Sequence, residues 1–144
     1  MRRDVAQPVT VLACAISAGV HAGLDPAHLR ESVPLALAFI VAATLLCIVG
    51  TLTALRPDNR AAFGAAMVVF AGLLTGYAAT RTTGLLWLDP VPERLDPVGA
   101  VTQAIEAAGF LAAWLVVRTP TATATRPVAA VRVEPLRHPR KAIT

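Results

Sequence analysis

Apolar residues run through this chain in long blocks broken by short polar punctuation. Residues 33–55 ("VPLALAFIVAATLLCIVGTLTAL") and 61–80 ("AAFGAAMVVFAGLLTGYAAT") carry no charge at all, and 98–117 ("VGAVTQAIEAAGFLAAWLVV") carries one, Glu106. Residues 5–24 form a further block with Pro8 and His21 towards its ends. A helix crosses the hydrocarbon layer with about 20 apolar residues, so each block is long enough to span. Membrane β-strands are segments of about ten residues with alternating polarity, which these blocks lack. The pattern predicts an all-α fold, a four-helix up-and-down transmembrane bundle. The apolar "TGLLWL" after Arg81 allows the third helix to continue to Leu88. Pro34 and Pro97 stand where helices two and four begin, positions at which a missing N–H costs least.

Composition supports this class. The 144 residues are 56% hydrophobic and 15% charged, against roughly 25% charged in soluble domains. Mean hydropathy is +0.62. Arg2, Arg3, Arg56, Arg60 and the basic tail hold ten of the thirteen Lys and Arg. Cytoplasmic loops are enriched in these residues, so both termini are expected in the cytoplasm and the protein in the cell (inner) membrane as a multi-pass chain. The opposite face then holds Asp25, Glu31, Asp89, Glu93 and Asp96, five of the nine acids. The first block follows Arg2 and Arg3 as a leader would, but Pro8 breaks its early part and His21 spoils a cleavage site at Val20-His21-Ala22, so it is read as a retained span. Residues 118–144, rich in Pro, Thr and Arg, read as a disordered basic cytoplasmic tail able to adhere to anionic lipid.

Each span also carries polar residues at helical spacing: Thr10, Cys14, Ser17 and His21; Thr44, Cys47 and Thr51; Tyr77, Thr80 and Arg81; Thr102, Gln103 and Glu106. Steps of three and four put each set on one face, expected to point inward. Small residues recur at every fourth position, as Ala15, Gly19 and Gly23, as Gly72 and Gly76, and as Ala100, Ala104 and Ala108. Such rows suit close helix approach where lipid supplies no hydrophobic drive.

A charge at depth costs about 2.5–3.5 kcal/mol on insertion scales, so Glu106 needs a partner, a proton or water. If the third helix runs to Leu88, Arg81 lies at similar depth, and an Arg81–Glu106 intramembrane ion pair is expected. It would fix helix register or belong to a proton or ion pathway.

The stretch "HAGLDPAHLRES" is the polar connection after the first span. Asp25-Pro26 suits a helix start, predicting a short surface helix on the outer side between spans one and two. His28 and Glu31 share a face of it. With His21 they form a candidate divalent-metal set, since imidazole and carboxylate suit such ions. A helix cap bearing solvated side chains is the simpler account of the same residues. Haem is not expected, because a single histidine lies near any span. The chain has no phosphate-binding Gly-rich loop, nucleophile elbow, HExxH or CxxC, so no catalytic residue is expected. Nucleic acid is not an expected partner, since the basic tail has no interleaved aromatics.

"VHAGLDPAHLRE", "GYAATRTTGL" and "VGAVTQAIEAAGF" together resemble small four-span integral membrane proteins of high-GC bacteria with no assigned function. The resemblance implies an inner-membrane protein and supplies no site residue. Two functions follow from the residues. One is a non-enzymatic accessory or assembly subunit with the lipid bilayer, a membrane-protein partner or a second copy as its contacts. The alternative is a small transporter or divalent-metal-handling protein using His21, Arg81, Glu106 and the acidic loops. A faint internal echo, "GLDPAHLRE" and "WLDPVPERLDP", fits the repeated halves of many transporters.

Overall fold

Helix boundaries fall where the chain supplies caps. In the computed structural model, which describes residues 3–84 and 92–119 apart from the side chains of Asp25, Ala27, His28 and Glu31, the described residues form α1 (Arg3–Glu31), α2 (Val33–Leu55), α3 (Arg60–Thr82) and α4 (Pro97–Arg118). Ser32 alone, in extended conformation, turns the chain from α1 into α2, with Pro34 in the first turn. Asn59 caps α3 by accepting from the Ala61 amide at 3.0 Å. Asp96 caps α4 by accepting from the Gly99 amide at 2.6 Å, with Pro97 as the first helical residue. Both prolines therefore stand at helix starts as expected.

All four helices are long and apolar enough to cross a membrane. Their outer surface is what lipid requires: Leu12, Ile16, Leu37, Ile40, Leu45, Ile48, Val68 and Leu111 are exposed, which would be costly in water and is favourable in hydrocarbon. Helix α1 packs against α2 and α4, α3 packs against α4, and α2 meets α3 more sparsely. The short turns at Ser32 and 56–59 make α1, α2 and α3 successively antiparallel, and the bond from Arg60 to Thr119 sets the start of α3 beside the end of α4, giving the up-and-down bundle. Arg3 donates to the Pro57 carbonyl at 2.8 Å and lies 3.3 Å from Asp58, and Arg60 donates to the Thr119 carbonyl at 2.5 Å. These bonds tie the start of α1 to the α2–α3 loop and the start of α3 to the end of α4, and together they mark the termini end of the bundle.

The half nearer that end is tightly filled. Phe63, Ala66 and Phe70 of α3, Gly109, Ala112, Ala113 and Val116 of α4, Ala6, Ala13 and Cys14 of α1, and Leu46 and Val49 of α2 are buried together. Contact is close enough to demand glycine. A Cβ on Gly109 would sit 2.6 Å from Phe70 Cζ and 2.7 Å from Ala13 Cβ, and one on Gly50 would sit 2.9 Å from Cys14 Cβ. Buried hydroxyls in this half are satisfied within their own helices, Thr10 donating to the Ala6 carbonyl and Thr53 to that of Gly50, as a water-free interior requires.

Four expectations need correction. Residues 25–31 are not a separate surface helix: α1 continues through Pro26 to Glu31, because Pro removes one amide without changing the helical φ. Helix α3 stops at Thr82 rather than reaching Leu88. Thr83 closes it onto the Ala79 carbonyl and Gly84 takes a positive φ of 69°, the left-handed turn that ends helices. The stripe Thr44, Cys47 and Thr51 faces outward, all three exposed, while Leu46, Val49, Gly50 and Thr53 face the core. The rows Ala15, Gly19, Gly23 and Ala100, Ala104, Ala108 are exposed as well. Large side chains such as Leu46, Phe63 and Phe70 set helix rotation, because only they can fill the interior. Residues 85–91 and 120–144, including the tail read as disordered, lie outside the described residues.

Candidate functional site: a cavity at the end away from the termini

Towards the other end the filling stops. A cavity of about 340 Å³ lies between the helices, within the range of small-molecule sites. Its apolar wall comes from α2 (Leu35, Ala38, Phe39, Ala42) and α3 (Gly72, Leu73, Gly76), two helices in sparser contact than α1 with α2 or α4, or α3 with α4. Its polar wall holds His21, Tyr77, Thr80, Arg81, Glu93, Asp96, Thr102 and Gln103. Absent side chains leave room for it: a Cβ placed on Gly72 or Gly76 meets no atom within 4 Å.

Arg81 organises the mouth. Nη1 donates to Glu93 Oε2 at 2.6 Å and to the Arg94 carbonyl at 2.5 Å, and Nη2 donates to Asp96 Oδ2 at 2.7 Å. Its side chain is 13% exposed, against 38% for Glu93 and 46% for Asp96, so the ion pairs lie at the solvent edge of the bundle. Asp96 serves twice, capping α4 with one oxygen and holding Arg81 with the other. A backbone bond from Glu93 N–H to the Thr80 carbonyl, 2.9 Å, fastens the incoming loop to α3. Arg81 also lies over the Tyr77 ring, 4.6 Å from its centroid. Tyr77 Oη and Arg81 Nε are buried and have no hydrogen-bond partner among the described residues.

Beneath the cavity lining, one turn beyond Thr102 and Gln103 on α4, Glu106 is fully buried. Ser17 Oγ donates to its Oε1 at 2.5 Å and Gln103 Nε2 to its Oε2 at 2.8 Å. Ser17 leads on to His21, whose Nδ1 is 2.9 Å from the Ser17 carbonyl and 3.4 Å from Ser17 Oγ. A carbonyl can only accept, which assigns the Nδ1 proton to that bond and makes Nε2 the acceptor of the neutral ring. His21 is thus held on the Ser17 carbonyl, while Ser17 and Gln103 both donate to one carboxyl group, joining α1 to α4. Directly beneath it, three residues or about 4.5 Å along α4, the Gly109–Phe70–Ala13 contact closes the bundle.

The expected Arg81–Glu106 ion pair is therefore absent. Arg81 is drawn to the two nearer carboxylates at the mouth, and Glu106 is satisfied by neutral donors one helix over. Ending α3 at Thr82 is the cause, since it puts Arg81 in the last turn instead of well inside the span. Of the metal set His21, His28 and Glu31, only the His21 side chain is described, and its ring packs on Phe39 with centroids 5.1 Å apart. Among the described residues no group of three His, Cys, Asp or Glu is placed to hold a metal ion. The polar stripes of α1, α3 and α4 do face inward. Sequence reasoning named Glu93 and Asp96 as outer acids without connecting them to Arg81. The Asp-Pro helix start fixes Asp96 beside the third helix's end, and could have suggested the link. No family model, curated protein or solved structure matches the chain.

Proposed function

We propose that this protein is a small, non-enzymatic integral membrane protein of the cell membrane that takes a small molecule into the cavity, in the half of the bundle opposite its cytoplasmic termini. The supporting observation is the one-sidedness of the bundle: a cavity with a polar mouth on one half, a floor of Phe70, Gly109 and Ala13 beneath Glu106, and a filled interior below. Such a shape receives and holds a ligand, and passing it onward requires the floor to open. Positive-inside charge bias supports the orientation.

Thiol labelling tests it. In a Cys47→Ser background, Thr80→Cys and Gly76→Cys should react with a membrane-impermeant maleimide added outside intact cells, whereas Ala112→Cys in the filled half should not. Labelling only from the cytoplasmic side, or none at either cavity position, overturns the reading.

The outward stripe Thr44, Cys47 and Thr51 favours a second role as an assembly subunit, since Cys47 and Thr51 border a shallow groove between α1 and α2 beside Ala15 and Ala54. A larger complex under native extraction would support it, and a monomer would remove it. The metal alternative stands or falls on whether bound metal is lost when His21 and His28 are both replaced.

A further inference from the structure

We infer that the occupant of the cavity is a neutral amphiphile drawn laterally from the bilayer, whose head carries carbonyl or hydroxyl oxygens and whose body lies between α2 and α3. This rests on the cavity reading above and names its ligand class.

Access comes from topology. Loop 56–59 joins α2 and α3 at the termini end, and at the other end the cavity stands between them. On α2 the lining residues Leu35, Ala38, Phe39 and Ala42 are apolar throughout, and on α3 the apolar Gly72, Leu73 and Gly76 lead up to the polar Tyr77, Thr80 and Arg81 at the mouth. A cleft between two spanning helices with such walls faces hydrocarbon, and an apolar body enters it without being desolvated.

The polar wall determines the head. Tyr77 and Arg81 line the site, and two of their atoms, Tyr77 Oη and Arg81 Nε, are buried without partners among the described residues, which costs about 1–3 kcal/mol each. Both can donate, so the ligand must offer oxygen acceptors. His21 lines the same site with Nδ1 committed to the Ser17 carbonyl, and its other ring nitrogen can pair with a hydroxyl, which both donates and accepts. Charge argues for neutrality. Arg81 is already matched by Glu93 at 2.6 Å and Asp96 at 2.7 Å, and among the described residues no other Lys or Arg lines the cavity, so an anionic head would face these carboxylates without a free cation. A cationic head would leave the Tyr77 and Arg81 donors unsatisfied. Membranes hold two sources of this chemistry, the head ring of an isoprenoid quinone and the glycerol esters of an uncharged lipid.

Equilibrium binding to the full-length protein in nanodiscs, with decylubiquinone and dioctanoylglycerol as separate probes and oleate as the anionic control, tests the inference. Saturable binding of at least one neutral probe is expected. It should weaken about tenfold in Tyr77→Phe, which removes one hydroxyl and one hydrogen bond, and be abolished in Gly76→Leu, which fills the cleft. Gly72→Leu on the same wall should repeat the loss, covering a failure of either variant to fold. Quinone alone, glyceride alone, or both identifies the source. Binding of neither probe, preference for oleate, or undiminished binding in both glycine variants overturns the assignment. External labelling of Thr80→Cys with no neutral-probe binding removes the ligand class alone, and loss of that labelling removes the cavity reading too.

Discussion

In the filled half Gly109 and Gly50 let helices touch; along the α3 wall of the cavity Gly72 and Gly76 leave space, while Gly99 at the mouth is packed closely against Tyr77. Gly109 and Gly50 lie where an added methyl would collide with Phe70, Ala13 or Cys14, whereas Gly72 and Gly76 lie where it would meet nothing. The difference teaches how a short membrane bundle divides its labour. Without a hydrophobic drive between helices, stability comes from close packing and satisfied polar groups, and here one half supplies the packing. The other half is freed to hold a cavity, with its mouth stiffened by ion pairs instead of by interdigitated side chains.

The sharpest way to break this contrast is at Gly109. Gly109→Leu should destabilise the bundle by about 3 kcal/mol, the upper range for overpacking, in unfolding titrations from detergent micelles. A loss under about 1 kcal/mol, within what a packed core accommodates, would mean that the half is not tightly filled. Next in size is the junction itself. Glu106→Leu strips Ser17 and Gln103 of their acceptor and should cost about 2 kcal/mol. Glu106→Gln keeps an acceptor oxygen and should cost less than half as much, so equal losses would show that the hydrogen bonds are not what Glu106 contributes. Arg81→Met should cost about 1 kcal/mol, because Glu93 and Asp96 are partly solvated and exposed ion pairs contribute little. A markedly larger loss would move the mouth from the solvent edge into the bundle's load of packing. Smallest, and opposite in sign, Gly76→Ala should gain about 0.5 kcal/mol by restricting the unfolded chain. Destabilisation there would mean that the cavity wall is closer than the structure has it.

Much of this organisation was legible along the chain, for reasons that vary by residue. Pro34 and Pro97 marked helix starts because proline's missing amide is harmless only there. The inward faces of α1, α3 and α4 followed from Ser17, Tyr77 and Glu106 lying at helical spacing with polar neighbours. The same logic failed for Thr44, Cys47 and Thr51. Hydroxyls and thiols of this size are tolerated facing lipid, as Thr44 does by bonding the Ile40 carbonyl, so their spacing carries no information on direction. The rows of alanine and glycine failed likewise, since a small side chain permits contact without requiring it.

Local signals along one strand of sequence thus determined the number of spans, their starts, the acidic character of one end and the need of Glu106 for partners. These depend on the length of apolar runs and on the energetics of single residues in lipid. Which partners Glu106 and Arg81 took was decided only in three dimensions. Hydrogen bonds join atoms within about 3 Å, and Ser17 and Glu106 come that close only when α1 and α4 pack with a particular rotation. The ending of α3 at Gly84 set Arg81 against Glu93 and Asp96. The cavity, too, belongs to tertiary structure alone, because empty space between α2 and α3 is a property of how four helices meet and has no residue of its own.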